Sequence, residues 1–156
     1  MKSSFEKKQD IKKVNKPWGY ELWIASDLNN KTYAMKEIFI NTGFKTSFQF
    51  HEYKEECNYI ISGTGTLLLS KNKIDINKFK KNGYTNEDLG NMVNNLKAYE
   101  LVKGSSFHIQ PLYIHSVIST NNLTMIESSS LHLNDVYRIL DEYGRSHGRI
   151  DSEHKN

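Results

Sequence analysis

The chain has 156 residues, of which 37% are hydrophobic and 25% are charged, and its formal net charge is +3. This length suits one domain and leaves no room for a second folded core. The basic residues are spread among acidic ones and form no stripe, so nucleic acid is not an expected partner, whereas an anionic small molecule suits the charge.

The chain begins with a tail that is followed by two predicted strands. Residues 1–13 are rich in lysine and have no hydrophobic period, which is typical of a flexible basic tail. A turn at residues 16–19 leads into a predicted strand at residues 20–24, and residues 32–40 alternate as a second strand. On that strand Lys36 shares a face with apolar residues. It is either a snorkelling side chain at a strand end or a lysine that reaches into a ligand pocket.

The next two predicted strands carry polar side chains on one face. If residues 47–51 are extended, Gln49 and His51 point to the same side while Phe48 and Phe50 point to the other. Glu56 opens the following strand at residues 56–62, which ends at a Ser-Gly-Thr-Gly turn. An antiparallel return would therefore bring the amide, the imidazole and the carboxylate together.

A polar segment interrupts the strand pattern in the middle of the chain. Residues 66–70 predict another short strand, and residues 71–96 are then rich in Lys and Asn and form an inserted segment. Within it Thr85 and Asp88 have the spacing of a helix N-cap, and apolar residues recur at helical spacing as far as Leu96. This predicts a short helix that packs over the body of the fold.

Short strands resume after this segment. Residues 98–102, 106–110, 113–119 and 123–128 each read as a strand bounded by Gly, Pro or Asn. About eight short strands in all favour an all-β sandwich or barrel. Residues 134–145 predict a short C-terminal helix closed by Gly144, and residues 146–156 predict a polar tail.

A second polar group of residues ends at His115, which a turn at Pro111 places on the strand at residues 113–119. With Gln49, His51 and Glu56 it would supply two nitrogen and two oxygen donors. Such a set suits a borderline divalent ion, namely Zn, Mn, Fe, Co or Ni. A single histidine on a strand is more often a hydrogen-bonded structural residue, so the prediction of a metal site depends on the set of four.

The same residues resemble the two motifs of the cupin superfamily. The matching positions are Gly43, His51, Glu56, Gly63, Gly104 and His115. The closer resemblance is to the type II mannose-6-phosphate isomerase domain, whose Ser-Leu-Gln-x-His-x-x-Arg-x-Glu-x-Trp pattern is similar to residues 47–58. Its Lys-Pro-Trp-Gly and Tyr-Gly-Arg segments are similar to residues 16–19 and 143–145. The resemblance implies one cupin domain at residues 14–145, a double-stranded β-helix or jelly-roll barrel, with residues 71–96 inserted.

Several residues depart from these patterns. Tyr53 stands where many cupins have a second histidine, and Lys54 and Asn58 replace an Arg and a Trp of the isomerase pattern. The departures in the second motif are Gln110, Leu112 and Ser119. The resemblance implies that Gln49 replaces the absent histidine in a Gln-His-Glu-His set that holds a divalent metal ion, with zinc as the first choice.

The resemblance implies a metal-dependent aldose–ketose isomerase that acts on a sugar phosphate such as mannose 6-phosphate, or a related isomerase or epimerase of sugars or nucleotide sugars in carbohydrate biosynthesis. Such an enzyme needs a base to move a proton between two carbons. The candidates for the base are Lys36, Tyr53 and Glu127, with Glu55 as a more distant acid. A phosphate needs cationic partners. The candidates for this role are Lys54, Arg138 and Arg145. The alternative role of the two arginines is to form salt bridges with nearby acidic residues.

Two rival functions follow from the same resemblance. A small cupin can also bind a sugar or metabolite without catalysis and act as a regulatory or assembly subunit. An iron-dependent oxygenase is less favoured, because Tyr53 replaces one of the facial histidines that dioxygen chemistry usually requires.

Compartment and assembly are inferred from simpler features. Cys57 is the only cysteine, so no intramolecular disulfide can form, and no segment approaches the roughly 20 apolar residues of a spanning helix. We therefore expect a cytoplasmic protein without a membrane partner. Jelly-roll sheets leave edges and apolar faces that a second copy can cover, which predicts a homodimer.

Overall fold

The fold is described from a computed structural model, which describes residues 5, 7, 10–28, 31–140 and 148–149. These residues form ten strands and two helices. The strands are β1 (Lys12–Lys16), β2 (Gly19–Ala25), β3 (Ala34–Ile40), β4 (Phe48–Phe50), β5 (Glu56–Lys73), β6 (Lys97–Leu101), β7 (Ser106–Ile109), β8 (Tyr113–Ser129), β9 (Tyr137–Leu140) and β10 (Gly148–Arg149). The helices are α1 (Ile76–Lys80) and α2 (Asn86–Asn94).

Two long strands, β5 and β8, organise the barrel. They pair with each other in antiparallel register from Glu56 opposite Ser129 to Lys73 opposite Tyr113. The first half-sheet has the order β1-β2-β3-β8-β5-β7, and the second has the order β6-β5-β8-β4-β9-β10. Because β5 and β8 belong to both, the sheet curls into a barrel, and the prediction of an all-β jelly-roll fold is confirmed.

The two half-sheets enclose the main hydrophobic core. Its members come from both of them, and include Ile38 and Met125 on one side and Leu67 and Val117 on the other. The β3 side chains alternate as predicted, so Ala34, Lys36, Ile38 and Ile40 are buried while the residues between them are half-buried. Alternation along each strand therefore fills the interior, and it also carries polar side chains inward wherever they share the inward position.

The helices cover the outer face of the second half-sheet. Phe50, Tyr137 and Ile139 point outward from β4 and β9 and pack against apolar residues of the inserted segment. The predicted helix is confirmed as α2, and Thr85 and Asp88 form a complete capping box at its start. Helix α1 was not predicted from the sequence. The side chain of Asp75 caps its first turn.

Four predictions about chain organisation need correction. Strand β1 begins at Lys12, inside the predicted tail, because it pairs with β2. The predicted strands at residues 56–62 and 66–70 are one continuous strand, as are those at 113–119 and 123–128. Residues 137–140 form β9 and not a helical turn, because they pair with β4. Residues 148–149, assigned to the polar tail, pair with β9.

Some predicted features fall on residues that the structure does not describe. These residues are most of both predicted tails and residues 141–147, which include Arg145. Neither α1 nor α2 has the length and apolar character needed to cross a lipid bilayer, and these are the helices of the described residues.

We expect alanine at Gly63 to destabilise the barrel and alanine at Gly90 to stabilise it. Gly63 has a φ of +79°, and an added Cβ would lie 2.1 Å from the backbone oxygen of Asn122. The strained backbone alone costs about 1–3 kcal/mol, and the clash adds to this. A Cβ on Gly90, inside α2, meets no atom within 4 Å, so Gly90→Ala should add roughly 0.5–1 kcal/mol. Denaturant unfolding measures both changes, and a Gly63→Ala protein as stable as wild type would contradict this packing.

Candidate metal centre

A cavity opens between the half-sheets beyond the apolar core. Its volume is about 70 Å³, enough for an ion with a few small ligands. Its charged lining side chains are Lys16, Glu21, Lys36, Lys54, Glu56, Glu127 and Arg138. Such a concentration of buried charge requires close pairing, because an isolated charge in a protein interior is strongly unfavourable.

Three potential metal ligands meet in this cavity. His51 follows β4, Glu56 begins β5 and His115 lies on β8, and one donor atom from each lies within 4.8 Å of the others. The Glu56 carboxylate oxygens are 3.4 Å from His51 Nε2 and 3.8 Å from His115 Nε2. All three side chains are buried. The structure therefore brings together the three predicted ligands that carry an imidazole or a carboxylate.

Both imidazole rings are held by hydrogen bonds at Nδ1. His51 Nδ1 lies 2.5 Å from the Asp135 carbonyl oxygen, and His115 Nδ1 lies 3.0 Å from the Tyr113 carbonyl oxygen. A carbonyl oxygen only accepts, so Nδ1 carries the proton and each neutral ring presents an Nε2 lone pair. Within the described part of the chain both Nε2 atoms are buried and have no hydrogen-bond partner. This arrangement is typical of histidines that bind a metal ion.

The Glu56 carboxylate is held in its ionised form. Burial raises the pKa of this carboxyl, but the Lys54 ammonium outweighs burial and keeps the pKa well below its usual range. Lys54 Nζ is 2.6 Å from Glu56 Oε2, and Asn58 Nδ2 donates to Glu56 Oε1 at 3.3 Å. A negative oxygen pair thus faces two nitrogen lone pairs, which favours a cation among them.

His115 is kept neutral. Burial lowers the pKa of its imidazole to about 4, although Glu56 raises the pKa in part. A neutral ring is the form that binds metal ions, and it persists here well below the usual pKa.

Gln49 lies next to these ligands and stays a prediction as the fourth. It is opposite His115 in the register of β4 and β8 and lines the cavity. Its amide oxygen accepts a hydrogen bond from Ser47 Oγ at 2.8 Å. This contact holds the side chain on the same face as His51, as the alternation predicted.

The three candidate bases have different positions. Lys36 and Glu127 line the cavity and are buried. Lys36 does not snorkel, since its ammonium donates to Glu21 Oε2 at 3.1 Å. The structure does not bring Tyr53 into the cavity, because this side chain is 60% exposed and is not among the lining residues. A hydrogen bond to Glu52 raises the pKa of Tyr53, which further opposes a role as a base.

The candidate phosphate-binding cations also differ. Arg138 is buried, lines the cavity and lies opposite Gln49 in the register of β4 and β9. Lys54 lines the cavity too, but its ammonium is 2.6 Å from Glu56 and 2.7 Å from Glu127. Two carboxylates compensate this charge, so Lys54 holds acidic side chains in place and is not a separate phosphate cation. Arg145 lies outside the described residues.

The sequence reasoning missed two residues of the site. Glu21 lines the cavity and accepts hydrogen bonds from Trp23 Nε1 and Lys36 Nζ. It shares its strand face with Trp23, so alternation along β2 could have revealed it. Asp135 contacts His51 through a loop that no local pattern connects to β4.

The metal-free protein should lose stability as the pH falls from about 6.5 to about 4. His115 has a usual pKa of 6.5 when unfolded and a pKa of about 4 when folded, so the unfolded state binds more protons in this window and stability rises with pH. The difference corresponds to about 3 kcal/mol. Urea unfolding in the presence of a chelator measures this slope, which His115→Asn should flatten.

His108→Asn is the matched control, because His108 is exposed and lies outside the cavity. Its unfolding profile should keep the wild-type slope between these pH values. An unchanged slope in His115→Asn would show that burial of this imidazole does not govern the acid sensitivity.

Comparison with known proteins identifies the architecture. No family model and no curated protein matches the chain. Among solved structures, the capsular polysaccharide assembling protein CapF from Staphylococcus aureus aligns with a TM-score of 0.59 and 12% identity over 82% of this chain and 31% of its own. Oxalate decarboxylase from Bacillus subtilis aligns with a TM-score of 0.64 and 11% identity over 88% of this chain and 32% of its own.

A shorter protein has the same architecture over nearly its full length. KdgF from a Halomonas species aligns with a TM-score of 0.59 and 12% identity over 84% of this chain and 96% of its own. The present chain spans about a third of the length of CapF and of oxalate decarboxylase. At these identities the alignments show the fold alone. With the curled antiparallel sheet described above, they establish that this chain has the cupin fold.

Proposed function

We propose that the protein binds a divalent metal ion through Gln49, His51, Glu56 and His115 and acts as an isomerase of a sugar or sugar phosphate. One observation carries the proposal: two buried imidazole Nε2 atoms without hydrogen-bond partners among the described residues converge on an ionised carboxylate. Their nitrogen and oxygen donors fit borderline ions, with zinc as the first choice.

In the proposed reaction the ion would polarise the substrate and a protein side chain would transfer the proton. A divalent ion bound there would polarise oxygens on two neighbouring carbons of an open-chain sugar, which makes the proton on carbon easier to remove. Glu127 is our choice of base, because a carboxylate accepts a proton whereas the Lys36 ammonium donates to Glu21. Lys54 orients Glu127 and Glu56 together, at 2.7 and 2.6 Å.

The charge of the cavity favours an anionic substrate. Four basic side chains, Lys16, Lys36, Lys54 and Arg138, line it against the three acidic ones, Glu21, Glu56 and Glu127. A bound divalent ion would increase this positive excess. Arg138 is our choice for the phosphate group, because a guanidinium offers paired donors to phosphate oxygens.

The choice of a sugar rests mainly on the sequence resemblance to mannose-6-phosphate isomerases. The names of proteins with a similar fold refer to unrelated molecules, to capsular polysaccharide assembly for CapF and to oxalate for the decarboxylase. The fold therefore does not select the substrate. A cytoplasmic homodimer that takes part in carbohydrate biosynthesis is the setting that we propose for this activity.

One observation favours a second function, a binding protein without catalysis. Lys54 neutralises both the proposed ligand Glu56 and the proposed base Glu127. The Lys54 ammonium occupies Glu127 Oε1, one of the two oxygens that could accept a proton from a substrate. In this alternative the cavity would hold a sugar or metabolite and the protein would serve as a regulatory or assembly subunit.

Metal binding is the first expected outcome. Purified wild-type protein should hold one divalent ion per chain, and His51→Ala or His115→Ala should each weaken its binding by more than about 100-fold, since even the loss of a residue that only orients a ligand costs about 10–100-fold. Calorimetric titration with zinc and elemental analysis measure this. His108→Ala, which alters an exposed histidine, should bind as wild type does. The proposal would be refuted if the wild-type protein bound none of the ions of Zn, Mn, Fe, Co and Ni.

Proton exchange tests catalysis separately. The metal-loaded protein in heavy water should introduce deuterium beside the carbonyl of mannose 6-phosphate or a related sugar phosphate, as detected by NMR. Glu127→Gln should lower the exchange rate by about 100-fold or more, the usual contribution of a general base. If the wild-type protein binds metal and sugar phosphate but exchanges no proton, the binding function replaces the isomerase.

A further inference from the structure

Asp135, in the connection between β8 and β9, binds the turn that follows His51. It is 4% exposed, and its carboxylate accepts hydrogen bonds from three consecutive backbone N–H groups. The donors and distances are Glu52 at 3.0 Å, Tyr53 at 2.6 Å and Lys54 at 2.9 Å. A single side chain thus holds three of the four residues between the proposed ligands His51 and Glu56.

The backbone of Asp135 contacts the ring of His51 itself. Its carbonyl oxygen accepts the hydrogen bond from His51 Nδ1. The side chain therefore anchors the turn to the loop, and the main chain of the same residue holds the imidazole of that turn. Any shift of the loop relative to the turn would move the acceptor away from Nδ1.

We propose that Asp135 is the positioning residue of the site: by anchoring this turn, it keeps the proton of His51 on Nδ1 and the Nε2 lone pair in the cavity. The effect of Asp135 on metal affinity rests on the proposed function. The state of the His51 ring can be measured without any metal.

The physical reason is the number of donors that depend on one carboxylate. Without it, the N–H groups of Glu52, Tyr53 and Lys54 lose their acceptor, and a donor that has little access to water and no acceptor is unfavourable. The turn would rearrange to satisfy these groups. Nδ1 would then lose a fixed acceptor, and a neutral imidazole without one distributes its proton between Nδ1 and Nε2. A proton on Nε2 blocks the lone pair that would bind the ion.

The chain offers a matched control in the same turn. Ser130 Oγ accepts a hydrogen bond from the backbone N–H of Glu55 at 3.3 Å, one residue beyond the segment that Asp135 holds. Ser130→Ala removes a loop-to-turn hydrogen bond of the same kind without touching His51 or its acceptor. If any contact between the loop and the turn oriented the His51 ring, Ser130→Ala would also move its proton, whereas positioning through Asp135 predicts an effect from Asp135 alone.

The first arm of the experiment is nitrogen-15 NMR of the histidine rings in the full chain, prepared with a chelator at pH 8. His51→Gln identifies the signal. Wild-type His51 should carry its proton on Nδ1, and Asp135→Ala should shift a large fraction to Nε2. Asp135→Asn, which keeps one acceptor oxygen, should shift less, and Ser130→Ala should match wild type.

Two results of this arm would overturn the proposal. One is a wild-type His51 whose proton lies mainly on Nε2, a measurement that needs no variant to fold. The other is a wild-type proton position in both Asp135→Ala and Asp135→Asn. If Asp135→Ala does not fold, Asp135→Asn decides the outcome alone.

The second arm titrates zinc into the same proteins. We expect Asp135→Ala to weaken binding about 10–100-fold, the usual effect of losing a residue that orients a metal ligand, while Ser130→Ala stays within about 2-fold of wild type. Zinc binding to Asp135→Ala that equals wild type would overturn this role. If wild type itself binds no metal, the proposed function fails, but the NMR arm still decides whether Asp135 positions His51.

Discussion

The buried ammonium of Lys54, between the carboxylates of Glu56 and Glu127, is the interaction on which the site depends. Without this cation, two acidic side chains with little access to water would face each other inside the barrel, and ionised groups in such a place are tolerated only in pairs or with a metal. With it, Glu56 stays ionised and is directed at two imidazoles. Lys54 replaces the arginine of the isomerase pattern, and a lysine reaches both acids as a single compact charge.

The topology explains why ligands that are distant in sequence meet. Strands β5 and β8 run through both half-sheets, so Glu56 at the start of one and His115 near the start of the other lie in different halves of the barrel. β4 places Gln49 beside His115, and the chain after β4 carries His51 toward Glu56. The register of β5 and β8 shifts around Gly63, where a Cβ would clash with the Asn122 backbone.

Local sequence patterns were sufficient to predict much of the fold and of the candidate site. Alternation placed Gln49 and His51 on one face, and the Thr85–Asp88 spacing identified α2, because both features depend on neighbouring residues alone. The prediction of a helix at residues 137–140 was wrong. These residues pair with β4, which lies far away in sequence, and this pairing overrides the local helical spacing. The motif likewise gave the sequence position of Tyr53 but not the direction of its side chain, which is exposed on the turn that Asp135 holds.

The same ion pairs bear on the order of folding and metal binding. In many small metal-binding domains the ligands repel one another until the ion arrives, so binding and folding are one event. Here Lys54 already compensates Glu56, and backbone carbonyls already hold both rings at Nδ1. The unpartnered Nε2 atoms of the two rings are unfavourable, and the apolar core of both half-sheets offsets them. The barrel can therefore fold with its ligands in place, and a metal ion would enter a site that is already formed.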